Sequence, residues 1–342
     1  MKFGLFGSAT ARHGGPDVDS GQGYKQFVDY NIEAEALGYH ATFLVEHHFT
    51  GFGQVSASLS LLTWVAAKTK TLRLGTAVLV LPWHNPVLIA EQAASIDLLS
   101  GGRLDFGVGK GYRHNEFAGF CVPIEEADGR FNESLDVIVK AWTSKQRFSH
   151  HGKYWNFEDI IVEPPTAQKP HPPIWMGAGS PDSIRQVAAR GYNLLLDQFA
   201  SFETVAERIA IYKAALEERG LTFDPHNVGV ARAYFVAKDA ADKDAALERR
   251  MEAQRRLEAI SSAPGTKNTA SIMAYSDTRE ASEESALYGT PEEIASKLDK
   301  LRKLGVEYVL LNGGGLAHES LRRFARELMP AFAGGSRMRE VG

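Results

Sequence analysis

Short apolar runs alternate with longer stretches in which apolar positions recur every three to four residues, over nearly the whole chain. The short runs, at 2–7, 41–45, 72–79, 103–108, 173–176, 193–196, 228–236 and 306–311, read as β-strands. The stretches between them, including 24–37, 87–99, 131–142, 202–218 and 291–304, read as amphipathic helices. Gly38, Gly220 and Gly305 follow three of these helices, where a left-handed residue ends a helix well. Strand and helix in alternation imply a parallel α/β sheet. Eight such units favour a closed (β/α)8 TIM barrel over an open sheet, because closure leaves no unpaired edge.

Two stretches break the rhythm. Residues 147–163 alternate around His151-Gly152-Lys153-Tyr154-Trp155, as an inserted β-hairpin covering one end of the barrel would. Residues 240–287 begin charged and helical and pass into Ser261-Ser262-Ala263-Pro264-Gly265-Thr266-Lys267-Asn268, a loop composition. A segment of this length reads as lid-like, with residues 261–285 closing over a bound ligand. The 342 residues would fit two domains of about 150 each, but the strand count predicts one barrel domain over 1–342 with these two insertions.

Composition narrows the function. Apolar residues make up 44% and charged residues 23%, which argues against disorder and coiled coil. Lys plus Arg total 38 against 42 Asp plus Glu, a net charge of -4 that lacks the basic footprint of a general nucleic-acid binder. The single cysteine, Cys121, cannot form an internal disulfide. The apolar run at 72–82 is interrupted by Arg73 and falls far short of the roughly 20 residues that cross a bilayer. The opening MKFGLFGSAT lacks a signal-peptide core. The expectation is a cytoplasmic protein without a membrane span.

In such barrels the site lies at the C-terminal ends of the strands. The second strand is followed by Glu46-His47-His48-Phe49-Thr50. Adjacent side chains on an extended chain face opposite ways, so His47 and His48 are poorly placed to share a metal ion, and no metal-ligand spacing occurs elsewhere. Either one of the pair faces the barrel mouth as an acid or base, or it is a hydrogen-bonded structural histidine. His84 and Asn85, after the third strand, read as caps of the next helix.

The fifth strand leads into Gly177-Ala178-Gly179-Ser180-Pro181-Asp182-Ser183, where Ser180 fits an N-cap and Pro181 the first helical position. Such a helix start either holds a phosphate or is an ordinary capped end. Lys110 after the fourth strand and Arg130 at the next helix supply positive charge for the first reading. Gly107-x-Gly109-x-Gly111 is not the GxGxxG dinucleotide fingerprint.

Taken in order, Glu46-His47-His48-Phe49-Thr50, Gly75-Thr76-Ala77-Val78-Leu79-Val80-Leu81-Pro82, Leu98-Leu99-Ser100-Gly101-Gly102-Arg103 with Gly107 to Gly111, and Gly289-Thr290-Pro291-Glu292-Glu293-Ile294 resemble the bacterial luciferase-like flavin-dependent monooxygenases. The resemblance runs from Met1 to about Leu328. It implies a TIM barrel that binds FMNH2 delivered by a separate flavin reductase, and a homodimer. It places the flavin phosphate at Gly179, Ser180 and Ser183 with Lys110 and Arg130, and a non-proline cis peptide at Ala77-Val78 beneath the ring. His47 matches the family's catalytic histidine and Glu46 its neighbour. Two departures stand out: Gly109 where the light-emitting enzymes have a reactive Cys, and Lys110 where they have Arg. The first disfavours light emission.

The resemblance further implies that reduced flavin and O2 form a C4a-peroxide that oxygenates a small organic substrate, with water excluded. Phe6, Phe49, Trp83 and Tyr112 would line an apolar pocket, although core packing accounts equally for each alone. Two alternatives keep the barrel. One is an F420-dependent oxidoreductase, with Arg12, Lys110 and Arg113 near the longer anionic cofactor; the other is a non-catalytic flavin-binding protein.

Overall fold

The computed structural model describes residues 1–12, 14–262, 265, 270, 272, 277–315 and 317–333. Its strands are β1 (Lys2–Gly7), β2 (Ala41–Leu44), β3 (Arg73–Thr76), β4 (Leu79–Val80), β5 (Leu104–Gly109), β6 (Phe148–His151), β7 (Asn156–Ile160), β8 (Ile174–Gly177), β9 (Asn193–Leu196), β10 (Val228–Val236), β11 (Leu287–Gly289) and β12 (Tyr308–Asn312). Among the described residues eight parallel strands close a barrel in the order β1-β2-β3-β5-β8-β9-β10-β12, with β12 returning to β1. Each corresponds to one of the eight strands predicted from the sequence. The expected hairpin is β6 with β7, antiparallel and apart from the barrel.

Two details differ from the sequence reading. The run at 72–79 is not one strand: a cis peptide at Ala77-Val78 turns the chain, and β4 resumes beyond it against β5. Apolar patterning continues through the turn because both halves are buried, so periodicity alone does not reveal the break. The second difference is β11, which begins where the stretch read as lid-like ends. It extends the sheet by pairing with Tyr234 to Val236 of β10. β10 therefore pairs with β9 at its start, with β12 in its middle and with β11 at its end.

Alternation along the strands builds two cores. Ala41, Phe43, Trp175, Leu195, Ala231, Tyr308 and Leu310 fill the barrel, with Phe6, Ala77 and Val78 packed on them. Val228, Val230, Tyr234 and Val236 of β10 face outward into the larger layer between barrel and helices. Gly75 is required inside: a Cβ there would lie 2.3 Å from the Phe43 ring. At the opening of β3, Arg73 grips Asp105 through Nε (2.8 Å) and Nη2 (2.7 Å), and the Trp175 indole N–H donates to the same carboxylate at 3.2 Å.

The helices start as their sequences specify. Asn85 caps Pro86–Leu99 by accepting from the Val87 and Leu88 amides, and Ser180 with Ser183 closes a reciprocal cap on Pro181–Ala189. Gly38 and Gly305 take up positive φ (87° and 94°) just past their helices, as expected. Ala240–Ser261 is a continuous helix that reaches the short helix His114–Gly119 beyond β5, so it spans the rim from the β10 side to the β5 side. Of the expected lid, residues 263–264, 266–269, 271 and 273–276 lie outside the described residues; Arg279–Ser285 is helical. No described helix is long and apolar enough to cross a membrane.

Candidate active site

The exit of β2 carries the densest polar network at the barrel mouth. His47 and His48 turn to different partners, as the alternation of an extended chain requires. The His47 Nδ1 lies 3.0 Å from Glu116 Oε1, and the same oxygen accepts the His48 backbone amide at 2.9 Å. Arg113 Nη2 donates to His47 Nε2 at 3.1 Å. Arg113 and Glu116 are both buried, at 2% exposure, whereas the His47 side chain keeps 16%. Burial pushes the His47 imidazole below its ordinary value; Glu116 pulls it back up, and the charge of Arg113 pushes it down again.

Glu46 points away from this network. Its Oε1 is 2.7 Å from His48 Nε2 and 2.6 Å from His84 Nε2, and its Oε2 accepts the Val80 amide at 2.8 Å. Burial would raise this carboxyl, but the bonds from His48, His84 and Val80 outweigh burial and hold it below the usual carboxylate range. His84 thus binds Glu46, and Asn85 alone caps the helix. Glu46, His48 and His84 bring three groups able to ligate a metal within 4.8 Å of one another. Their hydrogen bonds to one another account for this convergence.

The barrel core beneath the mouth is apolar. β2 runs between β1, which bears Phe6, and β3, which leads to Ala77 and Val78, and all three side chains are half-buried on the barrel core. The expected cis peptide falls at Ala77-Val78. Val78 sits between two bare positions: a Cβ on Gly109 would lie 2.5 Å from its Cγ2, and one on Gly177 would lie 3.5 Å from its Cγ1.

A polar edge completes the mouth. Val108 pairs with Met176, so Lys110 and the Ala178-Gly179-Ser180 turn leave the barrel side by side. The Ser180 and Ser183 hydroxyls lie 2.9 Å apart, with Ser180 exposed and Ser183 and Gly179 half-buried. Each cation predicted for this edge faces a carboxylate. Lys110 meets Asp128 at 2.8 Å, and Arg130 meets Glu126 at 2.8 Å beneath the Tyr154 ring. Such exposed pairs are worth about 0–1 kcal/mol and give way readily to a stronger anion.

Residues 1–308 match the family described as luciferase-like monooxygenase. The chain belongs to that family. Among its relatives, the oxygenase component of a flavin-dependent trigonelline monooxygenase from Acinetobacter baylyi is 27% identical, over 97% of this chain and 96% of its own length. An FMNH2-dependent dimethylsulfone monooxygenase from Pseudomonas putida is 28% identical, over 89% of this chain and 87% of its own. The crystal structure of a monooxygenase from Streptomyces bottropensis superposes with a TM-score of 0.85 at 25% identity, covering 97% of this chain and all of that one.

In this member of the luciferase-like family the aromatic residues expected to line a pocket part company. Trp83 stacks on Phe120 (5.2 Å, 25°), and Phe49 and His48 join the same group. Phe49 is largely exposed, while Phe6 lies at the barrel floor and Tyr112 is half-buried next to Arg113. Arg12 is exposed beyond β1. The sequence reading missed Glu116. An Arg113-x-x-Glu116 spacing, one turn of the helix after β5, was its only signal.

Proposed function

We propose that this chain is the oxygenase of a two-component system, accepting reduced FMN from a separate reductase and oxygenating a small organic substrate with O2. The observation that carries the reading is the placement of His47 at the β2 exit, its ring held between Arg113 and Glu116, on a barrel whose core bears Phe6, Ala77 and Val78. The printed functions of the relatives, one FMNH2-dependent and one an oxygenase component, agree with it. The residues present fit a flavin mononucleotide. The floor suits a flat apolar ring, and the Ser180-Ser183 helix start with Lys110 suits a phosphate. Arg113 Nη1, buried and without a hydrogen-bond acceptor, is a donor for a ligand oxygen.

When bound, the reduced flavin supplies the activation of O2. The chain supplies position and protection. Gly179, Ser180, Ser183, Lys110 and Arg130 hold the phosphate end, while Ala77 and Val78 support the ring. Phe6 and Val78 keep water from the floor, and His47 handles a proton at Nε2. Glu46 acts at one remove, tying the β2 exit to β4 through Val80 and to His84.

The test is anaerobic titration with photoreduced FMN, followed by admission of O2. Binding with flavin-dependent O2 uptake is the expected result. No uptake, with binding of F420 instead, overturns it. His47→Ala should cut product formation by about 100-fold or more while FMN affinity holds; unchanged turnover would remove His47 from the reaction.

A further inference from the structure

An arginine guanidinium has donors only, and one of them meets His47 Nε2 at 3.1 Å. That nitrogen must therefore be the lone-pair atom of the ring. The ring proton then resides on Nδ1, where it reaches Glu116 Oε1 at 3.0 Å. The receiving oxygen is fixed in turn, because it also accepts the His48 amide at 2.9 Å. His47 thus lies between an obligate donor and a buried acceptor that come from one helical turn, Arg113 at the N-cap and Glu116 in the first turn of His114–Gly119. Both are almost fully buried, so neither swings away without leaving a polar group unpaired in the protein.

We infer that Arg113 and Glu116 are positioning residues that hold His47 as the neutral Nδ1–H tautomer, with its Nε2 lone pair at the barrel mouth. The consequence concerns direction. With the ring proton on Nδ1 and bonded to Glu116, His47 begins the cycle with no proton to give from Nε2, and the guanidinium beside that nitrogen keeps it a weak acceptor. The sequence left acid and base open for this histidine; the pair beside it selects base. The groups facing His47 from the elements packed on it are Arg113, Glu116 and, further off, Glu46. The functional part of this inference rests on the role proposed for His47, whereas the tautomer does not.

The experiment is nitrogen NMR of the full chain labelled at histidine, followed from pH 8 to below 6. The expected spectrum has His47 Nδ1 protonated and Nε2 bare in the neutral ring, which holds its form to lower pH than an ordinary imidazole. Arg113→Met removes the charge and the donor, so the His47 titration midpoint should rise by about 1 on the pH scale and the second tautomer should appear. Arg113→Lys retains the charge and should keep the midpoint low. Glu116→Gln keeps an acceptor for Nδ1–H and should preserve the tautomer. An Nε2-protonated ring in the unmodified protein, or an unmoved midpoint in a folded Arg113→Met variant, overturns the inference; the first result needs no variant to fold. The acid limb of kcat in Arg113→Met should follow the NMR midpoint. If the midpoint moves and the limb does not, the tautomer stands and the role proposed for His47 fails.

Discussion

Val78 occupies the space that a side chain at Gly109 would need: a Cβ on Gly109 falls 2.5 Å from Val78 Cγ2. The two residues face each other across β4 and β5, where Val80 pairs with Gly109, so neither strand can move aside alone. The bare Gly109 position leaves room to seat the branched Val78 side chain after the cis peptide.

Gly109→Ala should therefore push Val78 off its seat. Overpacking of this kind costs about 1–3 kcal/mol, and FMN affinity measured by fluorescence titration should fall by about tenfold. Adding Val78→Ala should recover most of the loss. A single variant that binds FMN normally would show that Val78 does not contact the ring.

The phosphate edge gives a selective effect. Lys110→Met should weaken FMN by about fivefold and leave riboflavin, which has no phosphate, unchanged. Asp128→Asn releases Lys110 from its 2.8 Å partner and should tighten FMN slightly. Equal losses for FMN and riboflavin would place Lys110 away from the phosphate.

At the opposite end of the barrel, Asp105→Asn leaves Arg73 without its charge partner while Trp175 and the surrounding core stay buried. Breaking one side of a largely buried pair costs about 3 kcal/mol. The urea midpoint should fall accordingly, with FMN affinity intact. Lost affinity at normal stability would mean that the two ends of the barrel are coupled.

Lys297 sets an alkaline dependence. Its ammonium donates to the Glu283 and Ala286 carbonyls at 2.6 and 2.7 Å, and burial lowers its pKa to about 8, with the nearby Glu283 charge opposing the shift. Between about 8 and the ordinary 10.5 the unfolded chain holds a proton that the folded chain has released, so this group adds stability as pH climbs through that window. Below it both states are protonated and the dependence ends. Denaturation midpoints taken across the window should rise less steeply in Lys297→Met than in the unmodified protein.

Much of this was legible in the sequence because burial imposes period. All eight barrel strands and the hairpin follow from it, and the cap at Ser180 follows from the Ser-Pro pair that opens its helix. The divergence of His47 and His48 follows from strand geometry alone. What periodicity does not encode is contact between distant segments. Glu46 meets His84 38 residues away, and His47 meets Glu116 69 residues away. Nothing local marks His84 as more than a cap neighbour, or Glu116 as more than a helical glutamate. β11 escaped notice because three residues are too few to show alternation, and its pairing with β10 is nonlocal.

β10 outlasts its barrel neighbours. Its ladder with β12 ends at Ala233, yet Val236 is still paired, with Gly289 of β11. Three further residues add about 10 Å of strand. The mouth is consequently not level: a wall of sheet rises on the β10 side, and the opposite side, where His47 and Lys110 emerge, is built from turns and a six-residue helix. A planar molecule settling on a slanted opening is tipped toward the low side. The barrel thus opens as a sloping bench, with His47 and Lys110 at its foot.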